Sequence, residues 1–244
     1  MEFTIRPALP SDDERVIQIA AEGDFDNCDS VYLSFIRATG QLLCATVDET
    51  AVAFAGMVPV ADIAMVTDLF VAQAARGQGV GGRLLAELLA GRTQSMTFSA
   101  QHPAAQSAYR RAGMAPRCRM LYLSGSAIGG GPKLVPGGWI HGRDELVGYF
   151  VGRGAVITPN AVVLIGATGV EVLRLDAVNA IDECQQLLRA FEAGTNVKLY
   201  VPEMHPLAAW LLAQQFVITD HDLLFTTDAV ALPATLAALH PGLA

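Results

Sequence analysis

Four glycines fall within the seven residues RGQGVGG, 76–82, which we call the glycine loop. The segment before it, IAMVTDLFV at 63–71, is rich in β-branched and apolar residues, and RLLAELLAG at 83–91 has leucines at helical spacing. Glycine lacks a Cβ, so a glycine-rich backbone can close around an anion and point its N–H groups inward. A helix that starts there adds the positive end of its dipole. The sequence therefore predicts a diphosphate-binding turn, to which Arg76 and Arg83 add charge.

Three other interpretations of the glycine loop fit less well. Gly77, Gly79 and Gly82 satisfy the G-x-G-x-x-G spacing of dinucleotide-binding folds, but five residues separate the strand from the first glycine. The acid that should follow about twenty residues later is also missing. A P-loop needs Gly-Lys-Ser/Thr, whereas Arg83 and Leu84 follow the last glycine. A flexible turn does not explain four glycines beside an arginine.

Bulk properties exclude several classes of protein. The 244 residues are 52% apolar and 16% charged, which is enough for a sizeable core in one large or two small domains. The net charge of −8 argues against nucleic acid as the main partner. No run of eighteen apolar residues and no leader pattern is present, so we expect no membrane span and a cytoplasmic protein. The scattered cysteines and histidines show no metal spacing, and no metal is expected.

The first half alternates strands and helices in the order β-α-α-β-β-β-α-β-α-β, which predicts an α/β fold with a mixed sheet. A meander of three strands precedes the glycine loop, so this half is not a purely parallel unit. The predicted strands are 3–9, 41–48, 51–60, 63–71, 95–100 and 117–123, and the predicted helices are 11–23, 29–40, 79–91 and 103–113.

The second half follows a stretch rich in Gly, Ser and Pro at 124–138. HPAAQSAYRRAGMAPRCRMLYL at 102–123 resembles HPLAAWLLAQQFVITDHDLLFT at 205–226, so we infer an internal duplication. The segment 233–244 is predicted to form a short helix and a tail. The other predicted elements are strands at 161–166, 170–175, 196–201 and 222–227 and helices at 180–194 and 206–216.

The order strand, five-residue lead, Arg-Gly-Gln-Gly-Val-Gly and helix resembles the GNAT superfamily of acyl-CoA-dependent N-acyltransferases. The loop pattern of that family, Gln/Arg-x-x-Gly-x-Gly/Ala, is matched by Arg76, Gly79 and Gly81. The resemblance implies a mixed central sheet of the GNAT type with splayed strands. It places an acetyltransferase domain at 1–124, a linker at 125–138, a degenerate GNAT-like α/β domain at 139–230 and a tail at 231–244.

A second motif of the family, Asn-x-x-Ala-x-x-x-Tyr-x-x-x-Gly-Phe, is matched in part. Ala105, Tyr109 and Gly113 agree, while His102 and Met114 replace Asn and Phe. His102 would contact the cofactor or cap the helix. The resemblance implies acetyl-CoA as co-substrate, lying between strands 63–71 and 95–100. Its binding residues would be Leu69, Phe70, Val71, Arg76, Gly77, Gln78, Gly79, Val80, Gly81, Gly82, Arg83, His102 and Ala105.

The chemistry implied by the resemblance is direct attack of an amine on the thioester. The Val71 N–H would face the thioester oxygen, and Tyr109 would protonate the leaving thiolate. Asp68 is the candidate base, or alternatively a carboxylate that anchors a neighbouring loop. By strand alternation it shares a face with Phe70. The acceptor would meet three acids after the first helix, which are Glu22, Asp24 and Asp26.

The second half lacks the loop. LDAVNAIDEC at 175–184 has no glycine and carries Asp176, Asp182 and Glu183, so we expect it to bind no coenzyme A. The sequence thus predicts an N-acetyltransferase acting on a small-molecule amine or a protein N-terminus. A non-catalytic acyl-CoA sensor or scaffold and, less well supported, an NAD-dependent oxidoreductase stay open. The identity of the acceptor amine, the acyl-chain preference and the formation of a homodimer also stay open.

Overall fold

The computed structural model describes residues 2–25, 27–60, 62–228, 230 and 235–240. The chain divides into two compact units. Unit 1 consists of Met1–Pro116 and Phe225–Val230, and unit 2 consists of Arg117–Leu224 and Ala231–Ala244. The domain limits predicted from the sequence stay a prediction.

Unit 1 contains a mixed sheet flanked by helices, as the sequence predicts. β1 to β4 pair in order as an antiparallel meander, and β5 pairs with β4 in parallel. Residues after Phe225 lie beside β5, where the Thr227 N–H donates to the Ser95 carbonyl at 2.9 Å. The elements are β1 (Thr4–Pro7), α1 (Asp13–Ala21), α2 (Ser30–Thr39), β2 (Gln41–Val47), β3 (Thr50–Val60), β4 (Ile63–Val71), α3 (Val80–Leu88), β5 (Ser95–Ser99) and α4 (Pro103–Arg111).

The first two helices are defined by caps and by an apolar face. Asp29 caps α2 by accepting the Tyr32 N–H at 2.8 Å, which satisfies one of the first-turn donors. Tyr32, Leu33 and Ile36 follow at helical spacing and are buried. Arg37 near the end of α2 forms an ion pair with Asp13 of α1, with 2.7 Å between nitrogen and oxygen. The two helices therefore lie together on the sheet.

The strands of unit 2 also pair in a mixed parallel and antiparallel arrangement. β6 pairs antiparallel with β10, β10 pairs in parallel with β9, and β9 pairs antiparallel with β8. The elements are β6 (Ala115–Ser126), α5 (Asp144–Gly152), β7 (Ala155–Ile157), β8 (Ala161–Gly166), β9 (Gly169–Asp176), α6 (Ala180–Ala190), β10 (Asn196–Pro202), α7 (Pro206–Ala213), β11 (Val217–Thr226) and β12 (Leu236–Leu239), of which β6 and β11 extend into unit 1.

The prediction of a short helix in 233–244 is wrong for the described residues. Leu236–Leu239 form β12, which pairs antiparallel with β9, and all four side chains are buried. A run of four apolar residues has no polar face, so a strand covered on both sides suits it better than a surface helix. The sequence analysis also missed α5, because Gly148 and Gly152 obscure its periodicity. None of the helices in the described ranges has the length and apolar character required to span a bilayer.

Gly40, which ends α2, gives the first prediction. A Cβ at Gly40 would lie 1.9 Å from the Met57 carbonyl oxygen, so Gly40→Ala should lower the free energy of unfolding by about 3 kcal/mol. Gly148→Ala is the control, because a Cβ there meets nothing within 4 Å inside α5. It should raise stability by roughly 0.5–1 kcal/mol. Urea unfolding measures both, and equal stability of the two variants would contradict the fold at this turn.

Candidate active site

β4 and β5 are paired over only part of their length. Their parallel register ends at Val66 and Thr97, whereas β4 continues to Val71 and β5 continues to Ser99. The splayed strands expected from the sequence are therefore present. The segment from Asp68 to Val71, which we call the β4 edge, has no strand partner on the β5 side among the described residues.

A bulge coincides with the end of this ladder. The register between β3 and β4 shifts so that Thr67 is an extra residue without a partner in β3. Beside it, the Thr97 hydroxyl donates to the Val66 carbonyl at 2.9 Å. The last carbonyl of the ladder is thus satisfied by a side chain, and β5 can diverge without leaving it unpaired.

The β4 edge presents backbone N–H groups on its open side. The Ala72 N–H donates to the Val52 carbonyl in β3 at 2.9 Å. Because N–H groups alternate along a strand, those of Val71 and Leu69 point away from β3. The Val71 carbonyl also lies on the open side, where it accepts Arg76 Nε at 3.1 Å. The edge is therefore able to bind an extended ligand as an additional strand would.

Side chains alternate along the β4 edge as predicted. Leu69 and Val71 approach α3, where a Cβ at Gly81 would lie 3.2 Å from Val71 Cγ2. Phe70 packs against two aromatic rings on the opposite face. Asp68 lies on the same face as Phe70, and α2 covers it.

Asp68 is a buried carboxylate with two hydroxyl donors. The Tyr32 and Thr67 hydroxyls both donate to its Oδ2 at 2.7 Å. Oδ1 has no hydrogen-bond partner among the described residues. Burial raises the pKa of Asp68 to about 6, and the two hydroxyl bonds oppose that rise. Asp68 is therefore a group that gains and loses its proton near neutral pH.

The glycine loop presents unpaired donors at the start of α3. Gly77 and Gly79 have φ of +78° and +77°, and a Cβ at either of them or at Gly82 would meet nothing within 4 Å. The N–H groups of residues 77–82 have no acceptor in the described part of the chain. Val80 buries its side chain in the core, which fixes the first turn. Unpaired N–H groups at the positive end of a helix dipole are the arrangement that favours an anion.

Hydrogen bonds to the end of α1 hold the glycine loop in place. Arg76 Nη2 donates to the Glu22 carbonyl at 3.3 Å, in addition to the Nε bond to β4. The Glu22 carboxylate accepts the Gln73 N–H at 2.7 Å and pairs with Arg15 at 3.4 Å. Arg76 and Glu22 therefore fix the loop relative to α1 and β4.

Other predicted cofactor and acceptor residues lie at the surface. The Arg83 guanidinium lies over the Phe3 ring, 4.5 Å from its centroid. The Gln78 side chain bonds back to the segment that precedes the glycine loop. Asp24 is exposed in the turn after α1. Asp26 lies outside the described residues.

α4 holds the residues of the second predicted motif. His102 is exposed at the N-cap position of α4, where its side chain makes no capping bond. Ala105 is half-buried one turn later. Tyr109 is buried, and its ring centroid lies 5.8 Å from that of Phe225.

The sequence analysis missed Tyr32, Thr67 and Thr97. A signal for Tyr32 exists, because its place on the apolar face of α2 buries a hydroxyl that requires a partner. An aspartate in the apolar strand 63–71 has the complementary requirement. The two threonines carry no such signal, since the bulge at Thr67 depends on the register between β3 and β4 and the Thr97 bond depends on the pairing of β5 with β4.

Comparisons with known proteins agree with this geometry. Residues 38–113 match the family model described as an acetyltransferase (GNAT) domain. A solved structure of a candidate acetyltransferase from Pyrococcus horikoshii is similar, with a TM-score of 0.75, 14% identity and coverage of 99% of this chain and 95% of that one. A GCN5-related N-acetyltransferase from Kribbella flavida has a TM-score of 0.60 at 13% identity, covering 92% and 71% of the two chains. None of the curated proteins compared with the chain matches it. The predicted α/β class with a mixed GNAT-type sheet is confirmed.

The raised pKa of Asp68 has a consequence for stability. Between about pH 4 and pH 6 the folded protein retains a proton that the unfolded chain has lost. Relative to Asp68→Asn, the free energy of unfolding of the wild type should therefore fall by up to about 3 kcal/mol as the pH rises through this window. Urea unfolding at several pH values measures the difference, and parallel pH profiles for the two proteins would contradict it.

Tyr32→Phe removes a donor that favours ionised Asp68, so the pKa of Asp68 should rise further. The Tyr122 hydroxyl donates to Asp222 at 2.6 Å in unit 2, which makes Tyr122→Phe a matched control. Carboxyl ¹³C chemical shifts report the titration of Asp68 directly. An unchanged midpoint in Tyr32→Phe, or an equal shift in the control, would argue against the Tyr32–Asp68 bond.

Proposed function

Because residues 38–113 carry a GNAT-type acetyltransferase domain, we propose that unit 1 transfers an acetyl group from acetyl-CoA to a primary amine. The observation that carries the proposal is the adjacency of two sets of unpaired N–H groups. One set lies along the β4 edge and the other lies in the glycine loop, which follows β4 after residues 72–75. Together they fit a ligand that is extended at one end and anionic at the other.

The glycine loop would bind the diphosphate of the co-substrate through the N–H groups of residues 77–82. The pantetheine arm contains amides and would hydrogen-bond to the β4 edge as an added strand. This places the thioester beside the Val71 N–H. Arg76 supports the site by fixing the loop on β4, and its charge also favours an anion there.

In the proposed reaction the amine attacks the thioester carbon, so a C–N bond forms and the C–S bond breaks. The Val71 N–H stabilises the oxyanion, an interaction that contributes roughly 3 kcal/mol in comparable sites. Asp68 Oδ1 accepts the proton that the amine loses, and a pKa of about 6 suits a base at neutral pH. Tyr109 donates a proton to the departing thiolate.

The acceptor amine is proposed to reach the site from the turn after α1. Asp24 is exposed there, and a carboxylate in this turn favours a cationic amine. The Glu22 carboxylate already accepts the Gln73 N–H, so Glu22 is proposed to hold the backbone beside the acceptor and not to bind the acceptor itself. A small-molecule amine and a protein N-terminus both satisfy these conditions.

Gly79→Val tests the loop. Valine at a φ of +77° is strained and moves the N–H groups at the start of α3, so the affinity for coenzyme A should fall at least roughly tenfold. Gly91→Val is the matched control, since Gly91 has a φ of +75° and equally open surroundings beyond the end of α3. Isothermal titration measures both. Equal affinities would contradict the proposed diphosphate site, and thermal stabilisation by NAD in place of coenzyme A would favour the oxidoreductase alternative.

Tyr109→Phe tests the chemistry separately from binding. Loss of a general acid lowers kcat by about 10²–10⁴-fold, and the coenzyme A affinity should stay unchanged. Tyr149→Phe, which makes the same change in α5 of unit 2, should leave both quantities as they are. A thiol-release assay against a panel of amines gives the rates. If Tyr109→Phe turned over at the wild-type rate, Tyr109 would only pack in the core and would not act as the acid. If the wild type acetylated no amine, the alternative of a non-catalytic acyl-CoA sensor would be favoured.

A further inference from the structure

Unit 2 contains a second pair of parallel strands that diverge. β9 and β10 are in register only as far as Val172 and Leu199, although β9 continues to Asp176 and β10 continues to Pro202. A helix joins the two strands, as α3 joins β4 and β5. We call the space between their diverging ends the β9–β10 cleft.

The helix that follows each pair begins in the same way. His102 and His205 are the N-terminal flanking residues of α4 and α7, and proline is the first helical residue in both. The order of strands and helices around the two clefts is therefore repeated. This repeat supports the duplication inferred from the sequence.

β12 pairs with the edge of β9 that β10 leaves. Its register with β9 runs from Leu236 opposite Asp176 to Leu239 opposite Arg174. Two further bonds extend the ladder: the His240 N–H donates to the Leu173 carbonyl at 2.7 Å, and the Ala177 N–H donates to the Thr235 carbonyl at 2.9 Å. Residues 235–240 thus satisfy the backbone of β9 beyond the point where β10 departs.

The position of β12 within unit 2 follows from the other pairings of β9. β8 occupies the opposite edge of β9, from Gly169 to Leu175. β12 is therefore on the β10 side, and it contacts β10 as well as β9. The segment lies in the β9–β10 cleft, in the place where an acyl-CoA arm is proposed to lie in unit 1.

Residues 236–240 are held tightly in the cleft. The side chains of Leu236–Leu239 are at most 6% exposed. The His240 ring packs edge-on against Tyr200 of β10, with 4.5 Å between ring centroids. Tyr200 in turn donates a hydrogen bond to Glu171 of β9, which joins the two strands where they begin to diverge.

The connection after β9 has no place for a diphosphate. Only residues 177–179 separate β9 from α6, and none of them is glycine. Asp182 and Glu183 lie in the first turn of α6, where carboxylates would repel an anion. The cleft thus retains the strand-binding part of the geometry and lacks the anion-binding part.

We propose that the β9–β10 cleft is a binding site for an extended peptide, filled within the same chain by residues 235–240, so that unit 2 is closed to coenzyme A. The first part of this inference is independent of the proposed function, and the second part rests on it.

Hydrogen exchange of the wild-type protein is the first test, because no variant is needed. The N–H groups of Ala177 and His240 should show the same protection factor, at least about a hundredfold relative to an unstructured peptide. Exchange of both at the unstructured rate, with Val172 still protected, would overturn the proposal.

A peptide with the sequence of residues 235–244, TLAALHPGLA, is the second test. Ala238→Asp places a charge at a fully buried position and should expel the segment from the full-length chain. The peptide should then bind the variant at least roughly tenfold more tightly than the wild type, whose cleft is occupied. Val178→Asp, at an 88% exposed position of the same unit, is the control and should behave as the wild type.

A scrambled peptide should bind none of these proteins. Equal binding of the native and scrambled peptides, or no gain for Ala238→Asp while its circular dichroism stays native, would overturn the proposal.

Titration with coenzyme A separates this inference from the proposed function. Binding of one molecule of coenzyme A per wild-type chain, and loss of that binding in Gly79→Val, would agree with both the closure of unit 2 and the proposed function. Two molecules per chain would overturn the closure of unit 2. No binding at all would overturn the proposed function, and the peptide and exchange results would still decide whether the cleft binds its own segment.

Discussion

The parallel ladder between β4 and β5 stops at Val66. The Thr97 hydroxyl donates to the Val66 carbonyl, in place of the backbone N–H that the next residue of β5 would supply. If the ladder continued, the N–H groups of Leu69 and Val71 would be hydrogen-bonded to β5, and the β4 edge would have no free donors for a ligand. The bulge at Thr67 and the hydroxyl of Thr97 together make the interruption tolerable, because the last carbonyl of the ladder retains a hydrogen-bond donor.

The same bulge determines the chemistry of Asp68. Burial alone can raise the pKa of a carboxyl group by 3–5 units, which would leave Asp68 protonated at neutral pH. The bulge residue Thr67 and Tyr32 of α2 donate to one carboxylate oxygen and limit the pKa to about 6. The other oxygen has no donor within the described part of the chain. A carboxyl group with a pKa of about 6 therefore results from two opposed effects, of which burial is the larger.

Local patterns predicted the parts of the site that are made by adjacent residues. The limits of β4 at 63–71, the glycine loop and the helix after it follow from composition and spacing within about thirty residues. The Tyr32–Asp68 bond joins residues 36 positions apart, and the bulge depends on the register between β3 and β4. For β12 the apolar run argues against a surface helix but does not separate a strand from a buried helix, and its pairing with β9 decides. Such choices are made by tertiary contacts that a single sequence does not contain.

Two diverging strand pairs in one chain meet the same physical requirement in different ways. A strand edge inside a fold leaves N–H and C=O groups that must be hydrogen-bonded or exposed to water. In unit 2 the chain supplies β12, whose apolar side chains become core at the same time, so this solution stabilises the fold. In unit 1 none of the described residues pairs with the β4 edge on the β5 side or accepts the N–H groups of the glycine loop. Unpaired donors make a fold less stable, and such an arrangement is retained where a ligand supplies the missing partners. The difference between the two clefts therefore favours unit 1 as the ligand-binding unit.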